Sequence, residues 1–223
     1  MTETIIGKKN FIGFDKYTSL GAYHWDAIKI NEEYRSQSKI IIDEAVENKV
    51  KTVLDIGCGD GAICGAIANL LPESQIYGFD AEEDAIVCGN RKINDFKIGN
   101  VSLNQFTIEE SKGFYDGKTF EMIFSLDVIE HLPNPNEMID FIRQISTKDT
   151  KTILIGTPLY ISDELVSPYH VKEYTKDEIR NIIGSENILK EWILSGKRRP
   201  SNNRSNKKTY EESYYICKLS FEN

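Results

Sequence analysis

The sequence predicts an α/β fold: a doubly wound, mostly parallel sheet of seven strands. Three observations predict it. From residue 51 onward, apolar runs of strand length alternate with amphipathic segments of helix length. The first such run ends in an acid and breaks at once into the glycine-rich turn Gly57-Cys58-Gly59-Asp60-Gly61. A later run, FEMIFSL at 120–126, has the sustained hydrophobicity of a strand buried on both faces.

Residues 52–55 read as the first strand and 62–71 as its helix. Between them the turn needs glycine, because a residue without Cβ lets the backbone bend tightly and approach a ligand. The helix start behind it offers unpaired N–H groups to a carboxylate or phosphate. The second strand is 75–80 (QIYGFD), followed by a helix at about 82–96, and 101–106 is the third strand. The fourth strand, 120–126, leads through Pro133 and Pro135 into a helix at 136–145. The fifth strand is 152–156 (TILIG). A helix at 175–183 opens with a capping box, Thr175 with Glu178. The last two strands are 188–194 and 214–221. This order of elements places parallel strands with helices on both faces.

Residues 1–49 have another texture. Tyr17, Tyr23, Trp25 and Tyr34 cluster there, GAYHW gathers polar aromatics around His24, and a helix is expected at 32–48. The segment is expected to form a lid over the cofactor end of a domain spanning 50–223; the alternative is a helix that covers a sheet edge. With 223 residues, 40% hydrophobic and 28% charged, the chain suits one sizeable domain with an ordinary core. No apolar run approaches the roughly 20 residues of a membrane span, and the first residues lack a signal peptide's apolar region. Cys58, Cys64, Cys88 and Cys217 have no C-x-x-C spacing and read as reduced thiols, so a cytoplasmic protein without a membrane partner is expected. A net charge of −8 argues against nucleic-acid binding through the whole surface.

Asp80 ends the second strand about twenty residues past the turn, where an acid accepts hydrogen bonds from both hydroxyls of a ribose. Asp55, just before the turn, would repel a pyrophosphate but suits a cationic amine. The chain has three histidines, His24, His131 and His170, and all map to the rim formed by the loops after strand ends.

VLDIGCGDG, YGFDAEEDAI, FEMIFSLDVIEHL and ILIGTPLY, in that order and spacing, closely resemble the successive motifs of class I S-adenosylmethionine-dependent methyltransferases. The resemblance covers the chain from about residue 50 to its end. It implies the class I sheet with an antiparallel last strand, and S-adenosylmethionine as cofactor. It also implies site roles. Gly57, Cys58 and Gly59 line the methionine moiety, with Asp55 near its amino group. Asp80 and its neighbour Ala81 meet the ribose, Thr107 and Ile108 the adenine, and Leu126 the ribose–sulfonium region. GAYHW and Tyr34-Arg35 resemble lid segments of some members, which would pair Arg35 with the cofactor carboxylate; the alternative is that Arg35 is a surface residue of its helix.

Transfer of a methyl to a hydroxyl needs alignment and proton removal. His131 or His170 is expected to be the base, with Asp127 or Glu130 orienting it. Asp127, Glu130, His131 and His170 together also resemble the four metal ligands of the Hen1 family of small-RNA 3′-terminal methyltransferases, which implies a divalent metal across vicinal hydroxyls. The same Glu-His-Leu stretch stands in ubiquinone-pathway O-methyltransferases, where Glu-His commonly has no metal role; the metal question stays open in the sequence. Lys197, Arg198, Arg199, Arg204, Lys207 and Lys208 crowd the last hairpin, either to hold an anionic substrate or as a solvated loop. No N-P-P-Y-like segment follows the fourth strand. The expected activity is O-methylation of a small hydroxyl-bearing metabolite, such as a sugar or nucleotide-sugar. The alternatives are RNA 3′-end 2′-O-methylation, disfavoured because no separate RNA-binding module is evident, and a regulatory subunit that binds the cofactor without turnover.

Overall fold

The computed structural model describes residues 16–198 and 209–221. Strands β1 (Thr52–Ile56), β2 (Gln75–Asp80), β3 (Val101–Gln105), β4 (Met122–Leu126), β5 (Thr152–Pro158), β6 (Ile188–Arg198) and β7 (Thr209–Leu219) form one sheet in the order β3-β2-β1-β4-β5-β7-β6. β1 to β5 pair in parallel, and β7 is antiparallel to both β5 and β6. The expected antiparallel last strand is present, inserted between β5 and β6. The reason is burial. Tyr215, Ile216 and Cys217 of β7 are wholly buried, whereas β6 carries Leu189 exposed and suits an edge.

Eight helices surround the sheet among the described residues: α1 (Lys16–Leu20), α2 (His24–Ile30), α3 (Glu32–Glu47), α4 (Ala62–Leu70), α5 (Glu83–Asp95), α6 (Ile108–Tyr115), α7 (Asn136–Ile145) and α8 (Lys176–Ile183). Successive strand residues face opposite sides, and each side has its own core. Val53, Phe124, Leu154 and Ile216 pack with Ile41 of α3, Ile67 of α4 and Ile86 of α5. Leu54, Ile123, Ile155 and Tyr215 pack with Tyr115 of α6, Ile142 of α7 and Ile179 of α8. The sheet is therefore doubly wound. Helix α3 starts on its Asn31 cap, whose side chain accepts the N–H groups of Glu33 and Tyr34. It belongs to the sheet's first core although it precedes residue 50, and Trp25 of α2 joins the same core.

Helix α6 was not expected. Its signal is the capping box of Thr107 with Glu110, but the segment is short and shows no apolar stripe. The box at Thr175 and Glu178 stands as expected.

From β1 the chain builds outward to β2 and β3, then returns to place β4 on the other side. The loops after β1 and β4 thus leave in opposite directions and open a crevice at the carboxyl ends of the strands. On the far side of the fold, the Asn100 amide donates to the carbonyls of Leu71 and Ser74 at 3.2 and 2.8 Å, tying the α4–β2 turn to the start of β3. Asn100→Ala should lower stability by about 1–3 kcal/mol, the cost of orphaned carbonyls, as measured by urea unfolding.

Candidate active site

The crevice is a cavity of about 1100 Å³, beyond the roughly 300–1,000 Å³ of a single-ligand pocket, so it has room for two reactants. Of the residues expected from the sequence, Asp55, Gly57, Cys58, Gly59, Asp80, Ala81, Thr107, Ile108, Leu126, Asp127, His131 and His170 line it, while Arg35 and Glu130 do not.

The turn after β1 is a left-handed backbone held from behind. Gly57 and Gly59 have φ of 74° and 54°. A Cβ at Gly57 would stand 2.1 Å from Val128, and one at Gly59 2.2 Å from the Tyr17 hydroxyl. The N–H groups of Gly57 and Cys58 donate to the Phe79 carbonyl at 2.8 and 2.9 Å. Asp80 completes the tie: one carboxylate oxygen accepts the Gly59 N–H at 2.8 Å, the other the Glu82 N–H at 2.9 Å. A carboxylate offers about four lone-pair sites, so two backbone bonds leave Asp80 capacity for a ligand. Thr107 spends its side chain on the α6 capping box.

Asp55 lies beneath the turn and is buried. Its Oδ2 accepts from the Cys64 thiol at 3.3 Å. Burial outweighs that bond and pushes its carboxyl up to about 8, so at neutral pH it is largely protonated until a cation stands beside it.

The loop after β4 carries the histidines. Asp127 has φ of 56°, a left-handed conformation uncommon outside glycine, and a 3₁₀ turn, Ile129–His131, follows. The rings of His131 and His170 stand edge to face, 5.0 Å between centroids. His131 Nδ1 donates to the Tyr169 carbonyl at 2.9 Å, because a carbonyl only accepts, and His170 Nδ1 donates to the Glu173 carboxylate at 2.8 Å. The basic nitrogen of each neutral ring is therefore Nε2. The groups that hold the Nδ1 atoms are Tyr169 and Glu173, and not Asp127 or Glu130 as expected. Burial, with His170 nearby, depresses the His131 imidazole to about 4, and it is neutral at physiological pH.

Glu130 is wholly buried: Oε2 accepts from the Thr157 hydroxyl at 3.0 Å, while Oε1 has no hydrogen-bond partner. Burial, then the charge of Asp127, raises its carboxyl well above the usual range. Glu130, His131 and His170 place one donor atom each within 4.8 Å of one another. Asp127, the fourth member of the expected metal set, is outside that cluster, exposed to the cavity. The buried phenol of Tyr214, unanticipated in the sequence, lines the cavity and is raised by burial and by the charges of Asp127 and Glu130.

The third histidine sits apart, at the start of α2. His24 stacks on Tyr34 at 4.9 Å and packs on Tyr23 at 4.0 Å, and all three line the cavity with Tyr17. Arg35 does not join them. It is exposed, donates to the Lys29 carbonyl at 3.2 Å, and lies outside the cavity lining; one residue earlier, the helical turn aims Tyr34 inward. The basic segment expected to hold an anion lies largely outside the described residues, from 199 to 208. The described lining carries Lys16 and many carboxylates, Glu33, Glu82 and Glu137 among them.

Residues 47–214 match the family described as a methyltransferase domain. The chain is 32% identical over 143 residues to a mitochondrial ubiquinone biosynthesis O-methyltransferase of Dictyostelium discoideum, which covers 60% of this chain and 42% of the relative. It is 29% identical over 182 residues to a ubiquinone biosynthesis O-methyltransferase of Dechloromonas aromatica (strain RCB), covering 78% and 69%. The chain spans about half the length of the first curated relatives it matches, 42% and 53%. Among solved structures, the N-methyltransferase NodS of Bradyrhizobium japonicum WM9, in complex with S-adenosyl-L-homocysteine, superposes with a TM-score of 0.62 at 14% identity, over 86% of this chain and 89% of that one; a likeness at that identity bears on the fold. No helix among the described residues is long and apolar enough to cross a membrane.

The raised Asp55 carboxyl has a measurable consequence for the ligand-free chain. Between about pH 4 and 8 the folded state keeps a proton that the unfolded state has lost, so this group's contribution to stability falls as pH rises. Asp55→Asn removes the contribution. Its stability relative to wild type should therefore increase across that window, at up to about 1.4 kcal/mol per pH unit. Paired urea titrations at pH 5 and pH 8 check it; a pH-independent difference would contradict the assignment.

Proposed function

We propose a specific chemistry for this chain, which belongs to the methyltransferase domain family and is a class I S-adenosylmethionine-dependent enzyme: O-methylation of a small acceptor whose hydroxyl is deprotonated beside His131 and His170. The observation that carries this reading is the imidazole pair, with both Nδ1–H groups committed to fixed acceptors and Nε2 left as the basic atom of each ring. The relatives named for O-methylation support oxygen as the acceptor atom. Those names are of ubiquinone biosynthesis and lend no support to a sugar or nucleotide-sugar acceptor.

The residues present fit the cofactor. Asp80 lines the cavity at the end of β2 and retains acceptor capacity beyond its two backbone bonds, and the buried Asp55 carboxyl lines it beside the turn as a partner for a cation. When bound, S-adenosylmethionine supplies an electrophilic methyl on a sulfonium. Asp80 would accept from the ribose hydroxyls, with Ala81 beside it; Thr107 and Ile108 would flank the adenine; and Cys58 and Leu126 would bound the middle of the ligand. Asp55, ionised by an adjacent ammonium, would hold the amino-acid end. Alignment of acceptor and methyl is worth about 7–11 kcal/mol. Proton acceptance at an imidazole Nε2 adds typically about 10²–10⁴-fold, and Tyr169 and Glu173 keep the rings in the tautomer that can accept.

One observation favours a second reading of the same site. The donor atoms of Glu130, His131 and His170 converge, the Glu130 Oε1 is buried without a hydrogen-bond partner, and both imidazoles are oriented through Nδ1 as metal-ligating histidines are. A divalent metal would be held by these three residues and would acidify the acceptor hydroxyl directly.

One assay separates these cases: transfer of labelled methyl from S-adenosylmethionine into the small-molecule fraction of cell extract, with and without EDTA, using protein purified without a His tag. Label in that fraction is expected. His131→Ala and His170→Ala should each lower kcat by about 10²–10⁴-fold with cofactor affinity retained. Chelator-insensitive transfer assigns the pair as base; loss in EDTA, restored by one added divalent ion, assigns a metal site. Label absent from every small-molecule fraction overturns the proposal.

A further inference from the structure

Asp60 does not line the cavity, yet it is the acid of the glycine turn most completely removed from water, at 0% exposure. Its Oδ2 accepts the backbone N–H of His24 at 2.9 Å and lies 3.5 Å from His24 Nδ1. Its backbone carbonyl accepts the Trp25 indole N–H at 2.8 Å. Helix α2 begins at His24 and has no cap of its own, since the Tyr23 side chain makes no capping bond. A carboxylate 36 positions along the chain supplies what the helix start lacks: an acceptor and a negative charge at the positive end of the dipole.

The contacts on either side have the same purpose. The Tyr17 hydroxyl stands 2.2 Å from where a Gly59 Cβ would be, and the Trp25 ring 2.3 Å from where a Gly65 Cβ would be. Glycine inside α4 costs helix stability, and the room it leaves is filled by Trp25, which also stacks on Phe96 at 5.3 Å. The cap therefore rests on Gly59, Asp60 and Gly65 together. Beneath it, Tyr17, Tyr23, His24 and Tyr34 roof the part of the cavity that the turn floors. A ligand seated on Gly57 and Gly59 would share the cavity with these four side chains. The Asp60 Oδ1 makes no hydrogen bond, although it is buried, an expense that a Ser or Asn cap at position 23 would have avoided.

We propose that Asp60 is a positioning residue that docks the cap formed by α1 and α2 onto the cofactor turn, so that cofactor entry and exit require the cap to lift. Asp60 acts through the backbone of His24 and the Trp25 ring and touches neither reactant. The gating role rests on the cofactor reading above; the docking role rests on contacts within the chain.

Two measurements test it on the full chain, with Asp60→Ala and the isosteric Asp60→Asn. Hydrogen exchange of the amides in 16–30 is followed in ligand-free protein. Association and dissociation of S-adenosylmethionine are followed by Trp25 fluorescence in a Trp192→Phe background, Trp25 and Trp192 being the chain's two tryptophans. In Asp60→Ala, exchange across the cap should accelerate roughly tenfold to a hundredfold, the loss of one charge-assisted hydrogen bond. Both rate constants should rise together, as they do when a gate loosens, and Asp60→Asn, which keeps an acceptor oxygen in place, should recover part of each effect. Should Asp60→Ala fail to fold, Trp25→Phe removes the indole donor and should raise cap exchange in the same direction. Cap exchange and rate constants within twofold of wild type overturn the proposal. So does weakened binding without faster association, the mark of a damaged turn. If wild type binds no S-adenosylmethionine, the cofactor reading and the gate fall, while cap exchange still decides the docking role.

Discussion

The site depends on the bonds that tie the turn after β1 to the end of β2. Two backbone N–H groups, from Gly57 and Cys58, converge on the Phe79 carbonyl, and the Gly59 N–H meets the Asp80 carboxylate. These bonds hold a left-handed backbone that no side chain at Gly57 or Gly59 could share with Val128 and Tyr17. The turn sets the floor of the cavity, brings Asp80 to its rim, and presents Asp60 to the cap.

The second governing feature is the concentration of carboxylates in little water. Asp55, Asp60 and Glu130 are buried around one cavity, with Asp80 and Asp127 at its edge. Desolvation is the largest cause of the raised carboxyls at Asp55, Asp80 and Glu130. In the ligand-free chain these groups oppose stability at neutral pH. A cationic ligand or metal ion would reverse the sign of each contribution, which is the usual relation between a site and the fold that supports it. The left-handed Asp127 belongs to the same economy of strain.

Much of the fold was legible because its signals are local. β2 and α7 fall where their hydrophobic patterns end, and the Thr175 capping box marks the start of α8. Helix α6 escaped because its one signal, Thr107 with Glu110, precedes a segment without an apolar face. The residues that line the cavity were legible for a related reason. Each lies at the end of a strand, and in a parallel sheet all such ends share one edge. The groups that orient the histidines were not legible: Tyr169 acts through a backbone carbonyl, and Glu173 is one acid among many in the sequence.

By itself, then, the sequence determined the alternation of strand and helix, the glycine turn, the acids that flank it, and the placing of His131 and His170 after strand ends, because periodicity and turn chemistry are written residue by residue. Only the tertiary structure decided that β7 enters the sheet beside β5, that Arg35 faces water while Tyr34 faces the cavity, that Asp127 stands apart from Glu130, His131 and His170, and that Asp60 caps a helix 36 positions away. Each of those outcomes turns on which groups are desolvated together, and desolvation is a property of packing between distant segments that no local pattern encodes.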